Sequence, residues 1–560
     1  MGWLLPTVIR LRGYSAARKL DRAAERPLEA QRSVLLDLIK RNANTAFGRD
    51  HGFGDIRSEA DYRRHVPIRD YEGIRPYVNR IIEGADAVLT ASAPRMLNTT
   101  SGTTGDPKYI PVTAEALSNG GSYALQWLYR AVKDHPSLLA GSFAAIVSRA
   151  IEGRMPSGLP YGSASGMLYQ QIPRIVRSAY AIPYIASEIR NYDQRYFVVT
   201  RLALAARVSY IGSPNPSTLI RLAETGASHA EQIIAAIHDG RLGIELPEQP
   251  EVATQLEAGL APNPARAKAL EGAATQAGTL RPLECWPDLT LIGCWLGGSV
   301  GTQVRRLKEF YGDVPIRDLG YLASEGHFTI PHEDHTASGI ASLHTNYFEF
   351  IPEEAAYDPD PPVLSCHELE QGGCYAVLLT TAGGLYRYDI HDIVQVTGFY
   401  RRAPLLAFIR KGRDMTSITG EKMHVNHILL GLEQIKQRYD VSLVDHFRVV
   451  ADVEESRYHI YAEFKSEISH ELLRDEVLPH LDAVLAEVNV EYGEKRRSRR
   501  LAPLCLHLMQ PGWAEREYQR TAAAGKRDTQ YKWQILCSES RPEDIGAIAH
   551  TIELSDEEAE

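Results

Sequence analysis

The stretch "LNTTSGTTGDPKYIPVT", residues 97–113, sets hydroxyl residues, glycines and a lysine between apolar flanks. It is not a Walker A loop, because Lys108 does not directly follow Gly105 and Tyr109 stands where Ser or Thr is required. Hydroxyl donors, glycine backbone N–H groups and a lysine can still surround a polyphosphate. Taken alone, the stretch is also compatible with an ordinary β-hairpin that turns at "TGDPK". The candidate phosphate-binding residues are Thr100, Ser101, Gly102, Thr103, Thr104, Gly105 and Lys108.

Length and charge limit the class of protein. The chain has 560 residues, more than one ordinary hydrophobic core organises, so we expect two or more domains. The formal net charge is -10 at pH 7. Proteins that bind nucleic acid usually carry a basic excess or stripe, so this charge argues against nucleic acid as a partner. It is compatible with a local pocket for an anionic nucleotide.

The cysteines and the apolar segments indicate the cellular compartment of the protein. The six cysteines are scattered, without C-x-x-C and without zinc-type Cys/His spacing, which predicts a reduced, cytoplasmic compartment. No run of eighteen apolar residues occurs, so we expect no membrane span. Residues 1–20 are interrupted early by basic residues, which favours an amphipathic helix packed on the main body over a signal peptide.

The first four hundred residues show an α/β pattern. Residues 20–48 have apolar side chains at helical spacing, and we expect Gly48 to end that helix. A short strand at Val208–Ile211, a Gly-Ser-Pro-Asn-Pro turn and a helix starting near Ser217 repeat the strand–turn–helix rhythm of α/β proteins. Residues 345–410 are rich in strand-forming residues and should be mostly sheet.

The pattern changes near residue 412 to helix, hairpin-like strands and helix. This indicates a separate, small α+β domain. We therefore predict a large N-terminal α/β domain with a β-rich subdomain over residues 1–411, and a small C-terminal domain over residues 412–560.

A second polar segment is "DLGYLASEGHF", residues 318–328. Glu325 follows the hydroxyl of Ser324, and a carboxylate beside a hydroxyl can bind Mg²⁺ when phosphates supply further ligands. Tyr321 could stack on a flat base. The plainer alternative for this segment alone is a solvated loop.

Two further segments carry charged candidates. "LYRYDIHDIVQV", residues 385–396, holds Asp389 and Asp392 beside a strand, where one carboxylate could accept from both ribose hydroxyls. Near the C-terminus, Lys526 and Lys532 flank a polar turn that enters an apolar strand. The plainer alternatives to a nucleotide-binding role are acidic residues of an ordinary turn and lysines on the surface.

The order of these segments resembles the adenylate-forming (acyl-AMP) superfamily of acyl and aminoacyl ligases. A more specific resemblance, to the auxin-responsive (GH-three) acyl acid amido synthetase family, covers residues 45–536, nearly the whole chain. The segments that carry it are "TAFGRDHGF", "TSGTTGDPKYIPVT", "WPDLTLIG", "YLASEGHF", "YFEFIP", "LYRYDIHDIVQVTGF" and "TQYKWQIL".

The resemblance implies an ATP-dependent acid–amine ligase. Such an enzyme adenylates a carboxylic acid and then passes the acyl group to an amine, typically of an amino acid, with ATP and Mg²⁺ as cofactors. It also implies that the small domain is mobile between the two steps. Tyr321 would contact adenine, Glu325 would hold Mg²⁺, Asp392 would bind the ribose, and Lys532 and Lys422 would be catalytic. The other implied nucleotide-binding residues are Gly298, Ala323, Ser324, Arg410 and Arg413.

Departures from the family pattern and two alternatives remain. A glycine of the family's motif is His391 here, so the geometry at this strand end is expected to differ. A coenzyme A ligase shares the first half-reaction. A degenerate ligand-binding protein is the other alternative, against which the joint retention of Ser101, Glu325, Asp392 and Lys532 argues. The identity of the acid and of the amine, and the oligomeric state, stay open.

Overall fold

The computed structural model describes residues 4–100, 107–172, 174–298, 304–356, 358–412, 415–439, 443–464, 468–514, 516–517 and 535–554. The chain divides into two compact units. The first comprises Met1–Thr99 and Lys108–Arg410, and the second comprises Thr100–Pro107 and Lys411–Glu560. The second unit thus includes a short segment of the candidate phosphate loop as well as the C-terminal region. Each unit has a hydrophobic core of its own.

The first unit is a mixed α/β structure, as the sequence predicts. Its helices are α1 (Leu4–Glu25), α2 (Pro27–Arg41), α3 (Ala46–Asp50), α4 (Glu59–His65), α5 (Tyr71–Ile82), α6 (Ala114–Asp134), α7 (Ala164–Gln171), α8 (Arg174–Arg177), α9 (Tyr192–Ala205), α10 (Pro216–Ser228), α11 (Ala230–Asp239), α12 (Pro250–Glu257), α13 (Pro264–Ala277), α14 (Pro282–Cys285) and α15 (Val304–Tyr311). Short 3-10 helices cover Phe53–Asp55, Pro136–Ala140, Tyr184–Glu188 and Glu353–Ala355.

The strands that begin in this part of the chain are β1 (Met96–Thr100), β2 (Lys108–Val112), β3 (Ser142–Ala145), β4 (Gly153–Arg154), β5 (Pro160–Gly162), β6 (Val208–Gly212), β7 (Leu291–Gly293), β8 (Ile316–Arg317), β9 (Leu322–Ala323), β10 (Gly326–His327), β11 (Thr329–Pro331), β12 (Gly339–Ala341), β13 (Tyr347–Pro352), β14 (Cys374–Thr380), β15 (Tyr388–Tyr400) and β16 (Ala403–Lys411).

A parallel sheet with the strand order β3-β6-β7-β8 forms the α/β centre of the first unit. The predicted strand at Val208–Ile211 is β6, and the predicted helix is α10. Asn215 caps α10 because its Oδ1 accepts a hydrogen bond from Ser217 N at 2.9 Å, so the helix begins at Pro216. Ile211 is fully buried among the apolar residues of the neighbouring helices.

The β-rich part of the unit is a six-stranded sheet with the order β11-β12-β16-β15-β14-β13. The prediction that residues 345–410 are mostly sheet is confirmed. Buried Gln31 of α2 ties this sheet to the N-terminal helices: its amide donates to Asn346 O at 2.7 Å and accepts from Phe348 N at 2.8 Å.

Gly48 does not end the second helix, and that prediction is wrong. Helix α2 ends at Arg41, and Gly48 lies inside α3, where its N–H donates to the N-cap residue Thr45 at 2.9 Å. A Cβ at position 48 would lie 2.1 Å from the carbonyl oxygen of Asn42. Close backbone packing, rather than helix termination, therefore requires this glycine.

The N-terminal segment forms α1, and Ile9 of this helix packs against Trp127 and Ala131 of α6. The predicted amphipathic helix on the main body is confirmed. Within the described ranges, the structure has no helix that is both long enough and apolar enough to cross a membrane.

The second unit is an α+β structure built on a sheet with the order β22-β19-β20-β21-β23. Alternate residues of its strands face opposite sides, so that Tyr458 and Ile460 pack against the helices while Val450 and Tyr461 pack around Trp513. Its elements are β17 (Met415–Thr416), β18 (Met423–His424), α16 (Val425–Tyr439), β19 (Leu443–Asp452), β20 (Arg457–Phe464), α17 (His470–Leu472), a π-helical turn (Leu473–Val477), α18 (Leu478–Val488), α19 (Val490–Arg497), β21 (Cys505–Met509), β22 (Leu536–Cys537), α20 (Pro542–Ile545) and β23 (Ile548–Glu553).

Candidate functional site

Tyr321 and Asp392, both predicted to contact the nucleotide, are in direct contact. The Tyr321 hydroxyl donates a hydrogen bond to Asp392 Oδ2 at 2.6 Å, although the two residues are 71 positions apart. Burial, with the neighbouring Asp392 charge, raises the pKa of Tyr321 well above its ordinary value, so the hydroxyl keeps its proton. The Tyr321 ring also stacks on Phe408, with the ring centroids 5.8 Å apart. The β-rich sheet thus brings these two segments together.

Ser324 and Glu325 form the turn of the β9–β10 hairpin. Asn98 of β1 donates a hydrogen bond to Ser324 O at 3.0 Å, and Tyr388 of β15 donates to Glu325 Oε1 at 3.4 Å. The hairpin therefore lies between β1 and β15, which are the strands that carry the start of the candidate phosphate loop and Asp392. Ala323 is the last residue of β9, one position before this turn.

Strands β1 and β2 are neighbours in one sheet, so the hairpin alternative for residues 97–113 holds for the flanks of the stretch. Lys108 begins β2, is 9% exposed, and has its ammonium 5.6 Å from the centroid of the Tyr71 ring. In β1, Asn98 Oδ1 and Thr99 Oγ1 are buried and have no hydrogen-bond partner among the described residues. Buried polar atoms of this kind normally have partners, which fits a strand end that binds a polar ligand.

In the second unit, Lys422 lies beside Thr100. Lys422 Nζ donates a hydrogen bond to Thr100 Oγ1 at 2.7 Å, and Thr100 Oγ1 donates to Glu491 Oε1 at 2.8 Å. The Lys422 ammonium is 3.6 Å from the same carboxylate oxygen. A predicted catalytic lysine and a predicted phosphate-loop residue thus share one small polar cluster, together with a carboxylate that the sequence did not single out.

The backbone of Lys422 is held by two buried side chains. Glu421 is 0% exposed and accepts from Ile418 N at 2.6 Å and from the Tyr458 hydroxyl. Asn489 Nδ2 donates to Glu421 O at 3.0 Å and to Lys422 O at 3.4 Å. Lys422 has a φ of 48°, a left-handed conformation that non-glycine residues rarely adopt, so these contacts stabilise a strained backbone.

His391 keeps the backbone conformation that a glycine adopts readily, with a φ of 58°. Asp389 Oδ1 accepts a hydrogen bond from His391 N at 2.7 Å, which holds this turn of β15. The histidine therefore does not prevent a left-handed turn at this position. Asp389 thus bonds to the local backbone, whereas Asp392 accepts a hydrogen bond from Tyr321.

Two other predicted residues lie around the same sheet. Gly298 has a φ of 62°, and a Cβ there would be 2.8 Å from Phe408 Cε1, the ring that stacks on Tyr321. Arg410 is exposed and forms an ion pair with Glu353. The predicted residues that lie outside the described part of the chain are Ser101, Gly102, Thr103, Thr104, Gly105, Arg413, Lys526 and Lys532.

A cleft in the first unit adjoins the β9–β10 hairpin. It contains about 720 Å³ of space not filled by atoms, part of it open to solvent. It is lined by α6, α7, the hairpin, Ser342, residues 344–346 and residues 381–383. Its wall is partly apolar, with Leu117, Leu168 and Ile330, and partly polar. No lysine or arginine occurs among the described residues that line it.

Two histidines line this cleft. Burial lowers the pKa of His327 and that of His344 to about 4, so both are neutral at pH 7. His327 packs against the Tyr123 ring with the centroids 4.7 Å apart, and His344 Nε2 lies 3.4 Å from Gln126 Nε2. The cleft therefore presents neutral polar groups rather than cations to a bound molecule.

Comparison with known proteins covers most of the chain. The sequence matches the GH3 family N-terminal domain over residues 16–316, the central domain over residues 339–411 and the C-terminal domain over residues 427–541. The chain belongs to the GH3 family. The match to the GH3 central domain ends next to Arg410, the last residue of the first unit.

Individual GH3 relatives are distant in sequence but cover about nine tenths of the chain or more. The indole-3-acetic acid-amido synthetase GH3.15 of Arabidopsis thaliana is 25% identical over 532 residues, which are 90% of this chain and 89% of the relative. The jasmonoyl–L-amino acid synthetase GH3.5 of Oryza sativa subsp. japonica is 24% identical over 566 residues, which are 94% and 95% of the two chains. The solved structure of the GH3.15 acyl acid amido synthetase superimposes with a TM-score of 0.64 at 22% identity and covers 96% of each chain.

The predicted family and fold class are confirmed by these matches. The curated GH3 relatives are named as amido synthetases, in agreement with the predicted ligase class. Sequence reasoning missed Asn489 and Glu491, which no motif marks. Glu421 could have been noticed, because it immediately precedes Lys422 in "TGEK".

Proposed function

We propose that this GH3 protein is an ATP-dependent ligase that joins a small carboxylic acid to an amine. The observation that carries the proposal is the position of the cleft: the hairpin that bears Ser324 and Glu325 forms part of its wall. An acid bound in the cleft would lie beside the predicted nucleotide-binding residues. The arrangement is what a reaction between a carboxylate and a nucleotide phosphate requires.

The proposed reaction has two steps. In the first, a carboxylate oxygen of the acid attacks the α-phosphorus of ATP, giving acyl-AMP and pyrophosphate. In the second, the amine nitrogen attacks the acyl carbon, the bond to the phosphate oxygen breaks, AMP leaves, and the amine loses a proton to solvent. Charge neutralisation and positioning are the main needs of this chemistry. Lys108, Lys422 and Lys532 are proposed to supply positive charge.

The donor set fits ATP and Mg²⁺. Thr100, Lys108 and Lys422 offer hydroxyl and ammonium donors suited to phosphate oxygens. Glu325 offers a carboxylate, the ligand type that Mg²⁺ prefers, and bound Mg²⁺ would reduce the negative charge on the phosphates. Asp392 is proposed to accept the ribose hydroxyls. It is 2% exposed, so this contact requires a side-chain movement near Tyr321.

The substrates are proposed from the cleft and from the relatives. The lack of lysine and arginine among the described lining residues favours an acid with a single carboxylate, because a second one would meet no cation there. The amine is proposed to be an amino acid, by analogy with the indole-3-acetic acid-amido and jasmonoyl–L-amino acid synthetases. We also propose a cytoplasmic location, with which the free state of the six cysteines is consistent.

The test is pyrophosphate release screened over monocarboxylic and dicarboxylic acids, with and without each amino acid, and with mass spectrometry of the products. We expect acid-dependent release and an amide product. If coenzyme A consumes the acyl-AMP and no amine does, the protein is a coenzyme A ligase. If ATP binds but no acid supports release, the protein is a degenerate binding protein.

A further inference from the structure

A cluster of metal-ligating side chains lies on the sheet of the second unit, among residues that the proposed ligase reaction does not use. His459 of β20 pairs in register with Cys505 of β21, and His507 follows two residues later on the same face of β21. All three are buried: Cys505 is 0% exposed, His459 is 7% exposed and His507 is 8% exposed. Buried thiol and imidazole groups at adjacent positions of two strands need a physical explanation.

The donor atoms of this cluster are spaced almost as a metal ion requires. His459 Nδ1 lies 2.9 Å from His507 Nε2, and Cys505 Sγ lies 3.7 Å from His507 Nε2. One donor atom from each of the three residues lies within 4.8 Å of the other two. Tetrahedral zinc, with bonds of about 2.0–2.3 Å, separates its ligands by roughly 3.3–3.7 Å. A widening of a few tenths of an ångström between the two imidazoles would therefore accommodate the ion.

The outer nitrogens of both rings lie near oxygen atoms, and that of His507 forms a hydrogen bond. His507 Nδ1 lies 2.9 Å from Thr551 Oγ1. His459 Nε2 lies 3.4 Å from a Glu455 carboxylate oxygen and 3.9 Å from one of Asp452. Histidines that bind metals generally donate their other ring N–H to such a partner, which sets the tautomer and the ring orientation. His507 has such a partner. His459 Nε2 is buried without a hydrogen bond in the described part of the chain, and the two nearby carboxylates can accept one after a small movement.

We propose that His459, Cys505 and His507 form a binding site for one divalent transition-metal ion of the zinc type. A thiolate with two imidazoles selects zinc and similar borderline metals over Mg²⁺ and Ca²⁺, which prefer oxygen. Binding forms a metal–sulfur bond and releases the thiol proton to solvent. The three side chains leave a fourth coordination position for water.

The charges around the site are compatible with a cation. Arg457 is the nearby positive side chain and lies within hydrogen-bonding reach of the Cys505 thiol, and it also pairs with Glu455 at 3.5 Å and with Glu553 at 3.6 Å. The expected role is structural, because the ion would connect β20 to β21 in the middle of the sheet. The proposal does not depend on the ligase activity.

The experiment uses Co²⁺ as a spectroscopic probe on the full-length protein after removal of metals with a chelator. We expect one Co²⁺ per chain, with visible bands of tetrahedral geometry and a near-ultraviolet thiolate-to-cobalt charge-transfer band that Zn²⁺ abolishes. The Cys505→Ser protein should lose the charge-transfer band. The matched control is Cys537→Ser, which alters another buried cysteine of the same unit and should keep the band.

Two further variants separate binding from folding. His459→Gln and His507→Gln should each weaken Co²⁺ binding by about tenfold or more while the far-ultraviolet circular dichroism stays unchanged. Zn²⁺ should raise the melting temperature of the wild type and not that of Cys505→Ser. Failure of the metal-free wild type to bind Co²⁺ or Zn²⁺, or a charge-transfer band that persists in Cys505→Ser, would overturn the proposal.

Discussion

Lys422 Nζ donates a hydrogen bond to Thr100 Oγ1 at 2.7 Å, while the Glu491 carboxylate lies 3.6 Å from the same ammonium. Glu491 therefore occupies a position, next to a predicted phosphate-loop hydroxyl and a predicted catalytic lysine, that suits a nucleotide phosphate. If ATP binds to these two groups, its phosphates compete with Glu491.

We expect Glu491→Gln to bind ATP more tightly, because the substitution removes a negative charge that competes for Lys422. Both side chains of the pair are about a quarter exposed, so the gain should be about 1 kcal/mol or less, a decrease in Kd of up to roughly fivefold. Isothermal titration with ATP measures it. Glu494→Gln removes the same charge from the same helix and serves as control. Weaker binding by Glu491→Gln would mean that Glu491 supports the nucleotide site instead.

Asp392→Ala should weaken ATP binding strongly, because a carboxylate that accepts ribose hydroxyls is lost. Hydrogen bonds to a charged group contribute roughly 1.5–3 kcal/mol, which predicts an increase in Kd of about 10- to 150-fold. Asp389→Ala should affect ATP binding less, since Asp389 bonds to His391 N. Titration of both variants, with circular dichroism to check folding, decides between the two acids. If only Asp389→Ala weakens ATP binding, the assignment of Asp392 to the ribose hydroxyls is wrong.

Lys532→Ala should slow acid-dependent pyrophosphate release by about 10²–10³, as expected for loss of one group that stabilises developing negative charge. It should still convert supplied acyl-AMP and amine to amide, because this lysine is predicted to act only in the adenylating arrangement. Single-turnover assays of each half-reaction measure both effects. Lys526→Ala is the comparison. If Lys526→Ala loses adenylation while Lys532→Ala adenylates at the normal rate, the catalytic lysine is Lys526 and the prediction is wrong.

The stability of the protein should fall in acid because of its buried histidines. Burial lowers the pKa of His327 to about 4, below the value of about 6.5 in an unfolded chain. The unfolded state therefore takes up a proton first as the pH falls, and the stabilising contribution present at pH 7 is lost between about pH 6.5 and pH 4. His327→Gln should reduce the pH dependence of the free energy of unfolding in that window, by up to about 1.4 kcal/mol per pH unit. Urea titrations at several pH values test this, and an unchanged dependence would contradict it.

The outline of the fold could be predicted from local patterns. The strand–turn–helix rhythm marked β6 and α10, strand-forming residues marked the β-rich sheet, and apolar residues at helical spacing marked α2. These features depend on neighbours within a few residues, which the sequence displays directly. Gly48 was misjudged because its reason is a contact with the backbone of Asn42, which the helix pattern does not show.

The motif order along the chain was enough to indicate the family and to select Tyr321, Asp392 and Lys422 as candidates. It could not show that Tyr321 bonds to Asp392, that Asn489 and Glu421 hold the backbone of Lys422, or that Glu491 pairs with the lysine. The metal-type cluster was likewise absent from the cysteine spacing, because His459 and Cys505 are brought together by the parallel pairing of β20 with β21. Local periodicity depends only on residues that are close in sequence. Contacts between distant segments arise only when strands pair and helices pack. Tertiary structure alone therefore decided which of these side chains meet.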